Sequence, residues 1–273
     1  MKTFKLEKLL TATKAAMSPG RRKEIHFTGD YASWEEALKA SDNYDTGVIL
    51  EKTRAAALKV KRGEAAYERD SVLFDQVEHS FPVLAGLLRA AVGHDSRLCV
   101  LDFGGALGST YFQCRSFLQP LHRLEWCIVE QPAHVACGKQ GFESGELHFY
   151  SSVEECLAAH RPDVLLLSAV LHYLPKPYDT LRALVQWGIP SIIIDCTPLL
   201  AGDRDRLTVQ HVPATIYAAS YPAWFLSQTK LTGVILAAGY RLLADFEAAK
   251  LPSPPGEKAC CKGFIFEKKS AHD

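Results

Sequence analysis

What this chain lacks in bulk is a net charge. Its 31 Lys and Arg cancel its 31 Asp and Glu. That removes the excess of positive charge through which a protein binds nucleic acid by bulk electrostatics, and no nucleic-acid partner is expected. Also missing is any apolar run near the roughly 20 residues that a membrane span requires. The opening stretch, MKTFKLEKLLTATKAAMSPGRRK, scatters lysines and has no apolar signal-peptide core, so a cytoplasmic protein is expected. Eight cysteines are present, at 99, 114, 127, 137, 156, 196, 260 and 261, yet no two have the C-x-x-C spacing. Cys99 and Cys127 sit inside apolar runs, where cysteine acts as a small hydrophobe. The thiols read as reduced and structural, and no metal is expected. There is no internal repeat and no low-complexity segment.

What is present is ordinary globular composition: 273 residues, 48% hydrophobic and 23% charged. That length suits one large domain, or one with a smaller appendage. The pattern changes near residue 95. Residues 1–95 read as a helical region. Ser33-Trp34-Glu35-Glu36 has the form of a capping box. Residues 51–62 are good helix formers stopped by Gly63. Asp70 is a candidate cap for the run that follows, in which Pro82 is expected to break or kink a helix.

Residues 96–273 alternate short apolar runs with helical stretches. Strands are expected at Leu98–Phe103, Glu125–Val129, Glu146–Tyr150, Val164–Ala169 and Ser191–Asp195, with GSTYFQCRSFLQ, AHVACGKQ, SVEECLAAH and PYDTLRALVQW between them. Continuous rather than alternating apolar strands mean burial on both faces, hence an α/β parallel sheet with helices on each side. Gly239–Phe246 and Lys262–Glu267, joined by a proline-rich loop, predict an antiparallel hairpin at the sheet edge.

Ligands of such sheets bind beyond the carboxyl ends of the strands, so the first turn matters most. It reads LCVLDFGGALGST, residues 98–110. The dinucleotide pattern G-x-G-x-x-G fits poorly, because Ala106 and Ser109 stand in its frame. The frame D-x-G-x-G-x-G fits with Asp102, Gly104 and Gly108, and with Ala106 for the middle glycine. Gly105 adds a third glycine to the turn. An acid at the strand end repels a pyrophosphate. It suits a ligand with an ammonium and hydroxyl groups.

This turn resembles that of the class I S-adenosylmethionine (SAM)-dependent methyltransferases. The resemblance implies a Rossmann-like, seven-stranded, mostly parallel sheet ending in an antiparallel hairpin. It implies SAM as cofactor, S-adenosylhomocysteine as product and no metal. Glu130, closing WCIVE, falls where that family holds the ribose hydroxyls, and Ser151 and Ser152 where it contacts adenine. PDVLLLSAVLHYLPKP is similar to the family's motif after the fourth strand. FTGDYASWEEAL, GEAAYERDSVLFD, SAVLHYLP, IIIDCTPL and DRLTVQHVP together resemble a bacterial family of methyltransferase-like proteins of unassigned substrate, over roughly residues 27–267. Its members are often encoded near surface-polysaccharide or secondary-metabolite genes.

The remaining candidates each have a bland alternative. His172, in L-H-Y-L, is the candidate general base, by resemblance to plant-type O-methyltransferases; the alternative is packing. His211 is a second catalytic candidate. Arg69, beside Tyr67, could clamp a carboxylate, either the cofactor's or the substrate's, or form an ordinary ion pair. Asp195 ends the fifth expected strand and is a substrate candidate. So are Tyr217, Tyr221 and Trp224 of HVPATIYAASYPAW, which reads equally as a packed loop. Tyr31 and Trp34 are candidates for a lid, and the whole region 1–95 for a cap over the substrate. The reading is methyl transfer, on oxygen rather than nitrogen, to a small or sugar-like acceptor such as a surface-polysaccharide or secondary-metabolite precursor. The rival is a methyltransferase-like protein that binds without catalysis.

Overall fold

The computed structural model describes residues 24–41, 46–69, 71–214, 216 and 218–270. Asp70 and Tyr217 lie outside the described residues. In chain order the elements are β1 (His26–Thr28), α1 (Trp34–Lys39), α2 (Thr46–Lys61), β2 (Tyr67–Arg69), β3 (Val72–Phe74), α3 (Phe81–Val92), β4 (Arg97–Phe103), α4 (Ser109–Leu118), β5 (Arg123–Val129) and α5 (Pro132–Gly141). Then come β6 (Leu147–Tyr150), α6 (Val153–Ala159), β7 (Val164–Ser168), a 3-10 turn (Leu171–Tyr173), α7 (Pro177–Gln186) and β8 (Ser191–Leu200). The chain ends with β9 (Arg206–Val212), β10 (Ala219–Ser227), α8 (Gln228–Ala237), β11 (Tyr240–Ala249) and β12 (Ala259–Lys268).

Strands β6, β5, β4, β7 and β8 lie side by side in that order and run parallel. The expected hairpin follows: β12 pairs antiparallel with β8, and β11 with β12 at the edge. This is the doubly wound, Rossmann-like arrangement, with the chain leaving β4 in one direction and returning on its other side at β7. Alternation along each strand supplies two cores. Cys99, Leu101, Leu165, Leu167, Ile192 and Ile194 pack with α6, α7 and α8. Leu98, Val100, Trp126, Leu166 and Ile193 pack with α3, α4 and α5.

The sheet is larger than the seven strands expected. β8 carries a bulge at Asp195–Cys196, where two of its residues face Gly263 alone: Ile194 pairs with Phe264 and Thr197 with Lys262. Cys196 takes φ +49° there. β8 pairs with β7 only up to Asp195, and beyond the bulge it pairs with β10. β10 carries β9, and β9 carries β1. These three strands form an arm, giving ten strands in all among the described residues.

Region 1–95 is therefore not helical alone. β1 extends the main sheet, and β2 and β3 make a separate hairpin. The segment that follows Asp70 is strand β3, not helix. Pro82 starts a helix rather than breaking one, standing in the first turn of α3, where its missing N–H costs nothing. The expected caps are present. Ser33 accepts from the Glu36 amide at 3.2 Å, and Gly63 closes α2 with φ +74°. Among the described residues, no helix is long and apolar enough to cross a membrane.

Gly86 brings α3 close to the sheet. A Cβ there would stand 2.7 Å from Cδ1 of the fully buried Ile193. Alanine gains up to about 1 kcal/mol over glycine in a helix, but overpacking a rigid core costs about 1–3 kcal/mol. Gly86→Ala is expected to destabilise on balance, and Ile193→Val to restore part of the loss, both read by urea denaturation. A more stable Gly86→Ala would show that α3 can move off the sheet.

Candidate functional site

A cavity of about 600 Å³ opens at the carboxyl ends of β4, β5 and β7. One end is walled by Phe103, Gly104, Ala106, Val129, Glu130, Gln131, Pro132, His134 and Ser151. The other is walled by Trp34, Leu38, Tyr173, Leu174, Tyr221 and Pro222. Thr53 of α2, Glu68 and Ser71 of the β2–β3 hairpin, and Ser109 also line the cavity, with Thr53 bonded to Ser71 and Ser109 to Glu68.

The first end is built by the glycine turn. Gly104 has φ +76° and lies so close to Val170 that a Cβ would come within 2.4 Å of its Cγ2. Gly104 also donates its N–H to the Val129 carbonyl at 2.9 Å, tying the turn to β5. Gly105 and Gly108 do not line the cavity. Gly105 rests on Asp102, with a Cβ position 2.4 Å from Oδ2. Gly108, at φ +98°, caps α4. Ala106 holds the place of the middle glycine at φ +50°, in the left-handed region that non-glycine residues enter only at a cost.

Asp102 was expected to meet the ligand's ammonium. Instead it is fully buried beneath the turn, on the α4 face of β4, and does not line the cavity. Its Oδ2 accepts from Trp126 Nε1 at 2.9 Å, while Oδ1 has no hydrogen-bond partner. Burial raises its carboxyl to about 7; the Trp126 hydrogen bond opposes this and the charge of Glu130 adds to it. The carboxylates that do face the cavity are Glu130 and Glu68. Glu130, at the end of β5, accepts the Gln131 amide at 2.6 Å. Glu68 is 2% exposed. It accepts from the Ser109 hydroxyl at the start of α4 and from the Ser71 amide. Glu68 was passed over in the sequence, because a lone acid in a short hairpin carries no periodic signal.

The two serines divide. Ser151 lines the cavity, whereas Ser152 caps α6 by accepting from the Glu155 amide. Arg69 stays outside the cavity lining, its Nε donating to the Tyr67 hydroxyl at 3.2 Å, with its charge acting on Cys196 and Asp195. Asp195 is 4% exposed and also outside the lining. It accepts from the Ser168 hydroxyl, and burial raises its carboxyl above the usual range.

His172 does not fit the role of base. It is 4% exposed, its Nδ1 has no partner, and the residue facing the cavity is its neighbour Tyr173. Burial lowers its imidazole to about 3. His211 sits on β9 with its Nε2 2.9 Å from Thr28 Oγ1 and its ring stacked on His26. The neighbouring residue, Gln210, points the other way, as strand alternation requires. Gln210 accepts from the Tyr173 hydroxyl at 3.0 Å and donates to the Tyr221 hydroxyl at 3.3 Å. Of the aromatic segment, Tyr221 reaches the cavity. Trp224 backs it, donating to the Leu174 carbonyl at 3.1 Å and stacking on Trp34. Tyr31 packs in the small core around Leu207 and Val209 and does not line the cavity.

Fold and site together define an α/β domain with a small-molecule cavity at its topological switch point. No family model matches the chain, and no curated protein matches it. Solved structures similar in shape include magnesium protoporphyrin IX methyltransferase from Synechocystis PCC 6803 with bound SAM, at 12% identity and TM-score 0.45, covering 84% of this chain and 87% of that one. Human N-acetylserotonin methyltransferase with SAM is 16% identical at TM-score 0.46, covering 68% of this chain and 52% of that one. The N-terminal domain of EvdMO1, with S-adenosylhomocysteine and D-fucose, is 13% identical at TM-score 0.46, covering 80% and 96%. At such scores none of these likenesses bears weight on the function.

The two buried groups behind the cavity predict a pH signature. Unfolded, Asp102 releases its proton near pH 4; folded, it holds it to about 7. It therefore makes the fold less stable as pH rises through that window. His172 acts oppositely. The unfolded chain takes up its proton below about pH 6.5, while the fold refuses it down to about 3, so stability falls as pH falls. Asp102→Asn is expected to remove the first slope and keep the acceptor for Trp126. Urea unfolding from pH 4 to 8 is then expected to show the variant gaining on the wild type as pH rises. Parallel profiles would show that Asp102 is not held protonated.

Proposed function

We propose that this protein transfers the methyl group of SAM to a small, neutral, sugar-like acceptor, on oxygen. The observation that carries the reading is Glu130, a carboxylate closing the second strand at the switch point and facing the same cavity as the glycine turn. The residues present fit SAM. Glu130 suits a pair of ribose hydroxyls, the Ser151 hydroxyl suits a contact to the adenine, and Phe103, Val129 and Pro132 offer apolar surface. Glu68 takes the part first assigned to Asp102. It is a buried carboxylate beside the glycine turn, placed for the ammonium of the methionine portion. Asp102 serves one layer further back, under Gly105.

When bound, SAM supplies an electrophilic sulfonium methyl that an acceptor lone pair displaces in line. The protein's own contribution is positioning and exclusion of water. α1, α2 and the β2–β3 hairpin act as the cap, through Trp34, Leu38, Thr53 and Ser71. Trp34, Tyr173 and Tyr221 give an acceptor wall of aromatic faces and hydroxyls, with no charged side chain among the lining residues there. Such a wall favours a neutral ring with hydroxyl groups over a cation or a carboxylate. Gln210 fixes the orientation of both tyrosines. No proton transfer is assigned to His172, whose burial keeps it out of reach.

Isothermal titration with SAM and S-adenosylhomocysteine tests the cofactor half. Glu130→Ala and Glu68→Gln are each expected to weaken binding at least tenfold, about 1.4 kcal/mol. Failure of the wild type to bind either compound would end the enzyme reading. Binding without turnover would leave the non-catalytic alternative. The acceptor half is tested by S-adenosylhomocysteine release with a panel of hydroxylated sugars and nucleotide sugars. Tyr173→Phe removes one hydrogen bond, worth about 1 kcal/mol. It is expected to raise the acceptor KM several-fold while SAM affinity stays unchanged. An unchanged KM would place the acceptor elsewhere.

A further inference from the structure

The face of the sheet under α6 carries a group of side chains that methyl transfer does not use. Cys99 on β4 pairs in register with Glu125 on β5, and Cys127 on β5 with His148 on β6. Strand alternation puts these four on one face, with Tyr150 two residues beyond His148. α6 closes over them with Cys156, and His160 follows four residues later at its C-terminus, one turn along the same side. The ligand atoms of Cys99, Cys127 and His160 all lie within 4.8 Å of one another. Cys156 belongs to the same buried cluster as Cys99 and Cys127 but lies outside that 4.8 Å group, so it must move toward the ion to supply a fourth donor. Cys127 and Cys156 are fully buried, Cys99 is 5% exposed, and the His160 side chain is 10% exposed.

We propose that Cys99, Cys127, Cys156 and His160 bind one zinc ion, which pins α6 to the sheet. Three thiolates and an imidazole are a closed structural zinc set, and donors about 2.0–2.3 Å from a tetrahedral ion stand within 4 Å of one another: a small contraction for Cys99, Cys127 and His160, and a closer approach of α6 for Cys156. Both ring nitrogens of His160 already have a polar neighbour. Glu125 Oε1 lies 3.2 Å from Nδ1, and the Tyr150 hydroxyl 2.6 Å from Nε2. Whichever nitrogen takes the metal, the other is held in orientation by a hydrogen bond. Binding replaces three S–H bonds with Zn–S bonds, and the three protons go to solvent. A second donor set, Glu125, His148 and His160, shares the histidine. It offers three partly exposed donors against a set in which three of four are buried, and hard oxygen against sulfur. Sequence spacing could not show either set, because the donors come from separate elements. The site lies on the face opposite Asp102 and is independent of the methyl-transfer reading.

Cobalt titration of the chelator-treated, reduced, full-length protein tests this. The expected result is a thiolate-to-cobalt charge-transfer absorption that saturates at equimolar Co²⁺ and is displaced by Zn²⁺. Cys156→Ser and Cys127→Ser are expected to abolish it, and His148→Ala to keep it. Zn²⁺ is also expected to raise the melting temperature of the wild type by about 4 °C or more, and not that of Cys156→Ser. If a serine variant fails to fold, the wild-type titration still decides. No charge-transfer absorption in the wild type would overturn the proposal and leave the thiols as core packing. Cobalt binding without that absorption, and lost in His148→Ala, would also overturn it and assign the metal to the carboxylate–imidazole set.

Discussion

The cavity depends on one kink in β8. β7 ends at Ser168, opposite Asp195, and past the bulge at Asp195–Cys196 β8 pairs with β10 instead. The extra residue is accommodated because Gly263 faces it, and a side chain there would strike Phe246 and the Ile194 carbonyl. Cys196 takes a left-handed conformation that costs a non-glycine residue about 1–2 kcal/mol. Into the gap goes the turn from Val170 to Leu174. Trp224 on β10 secures its far end at the Leu174 carbonyl, and Ala169 donates its N–H to the Asp195 carbonyl at its near end. Tyr173 of that turn meets Tyr221 of β10 at a ring distance of 5.4 Å, and both line the cavity.

Behind the cavity the protein spends stability on rigidity. Asp102 has one hydrogen bond and one unpartnered oxygen in full burial. An isolated buried carboxylate is costly, and the fold lowers that cost by letting it hold a proton near neutrality. In return Gly105 packs directly on the carboxyl, and the turn cannot sink into the sheet. This is the arrangement of a support rather than of a ligand group. It explains why the charge that faces the cavity comes from Glu68, on a different element. A carboxylate that must meet a ligand needs room beside it, and Asp102 has none.

Much of the scaffold was legible in the residues. Leu98–Phe103, Val164–Ala169 and Ser191–Asp195 are continuous apolar runs, and burial on both sides of a parallel sheet leaves that mark. Ser33 and Ser152 announced their helices through an acid three residues on. The arm was hidden. No strand was expected at β9, and most of β10 read as a packed loop, with Pro213 just after β9 and Pro222 inside β10. Pro222 is tolerated where β10 pairs with β9 on one side and has not yet reached β8 on the other. The site was half legible. Glu130 and Ser151 follow from their position after a strand. His172 was misplaced by one residue's worth of rotation: in a 3-10 turn adjacent side chains diverge, and Tyr173 took the inward place. Gln210 was masked by His211, the more chemically conspicuous neighbour on the opposite face of the same strand.

The opposed directions of Gln210 and His211 reflect a general property of this sheet. Strand alternation gives each strand two chemistries, and each needs its own covering layer. On β4, Leu98, Val100 and Asp102 face α3 and α4, and Asp102 finds the indole of Trp126 there. Cys99 and Leu101 face α6 and α7. On β5, Trp126 and Ile128 take the first side, and Glu125 and Cys127 the second. The turn over the cavity is braced from the first side. The start of α6, where Ser151 meets the cavity and Ser152 caps the helix, is braced from the second. A shift of α6 along the sheet would carry Ser151 out of the cavity wall, whatever its own chemistry. Each wall of the cavity thus rests on its own layer of the sheet.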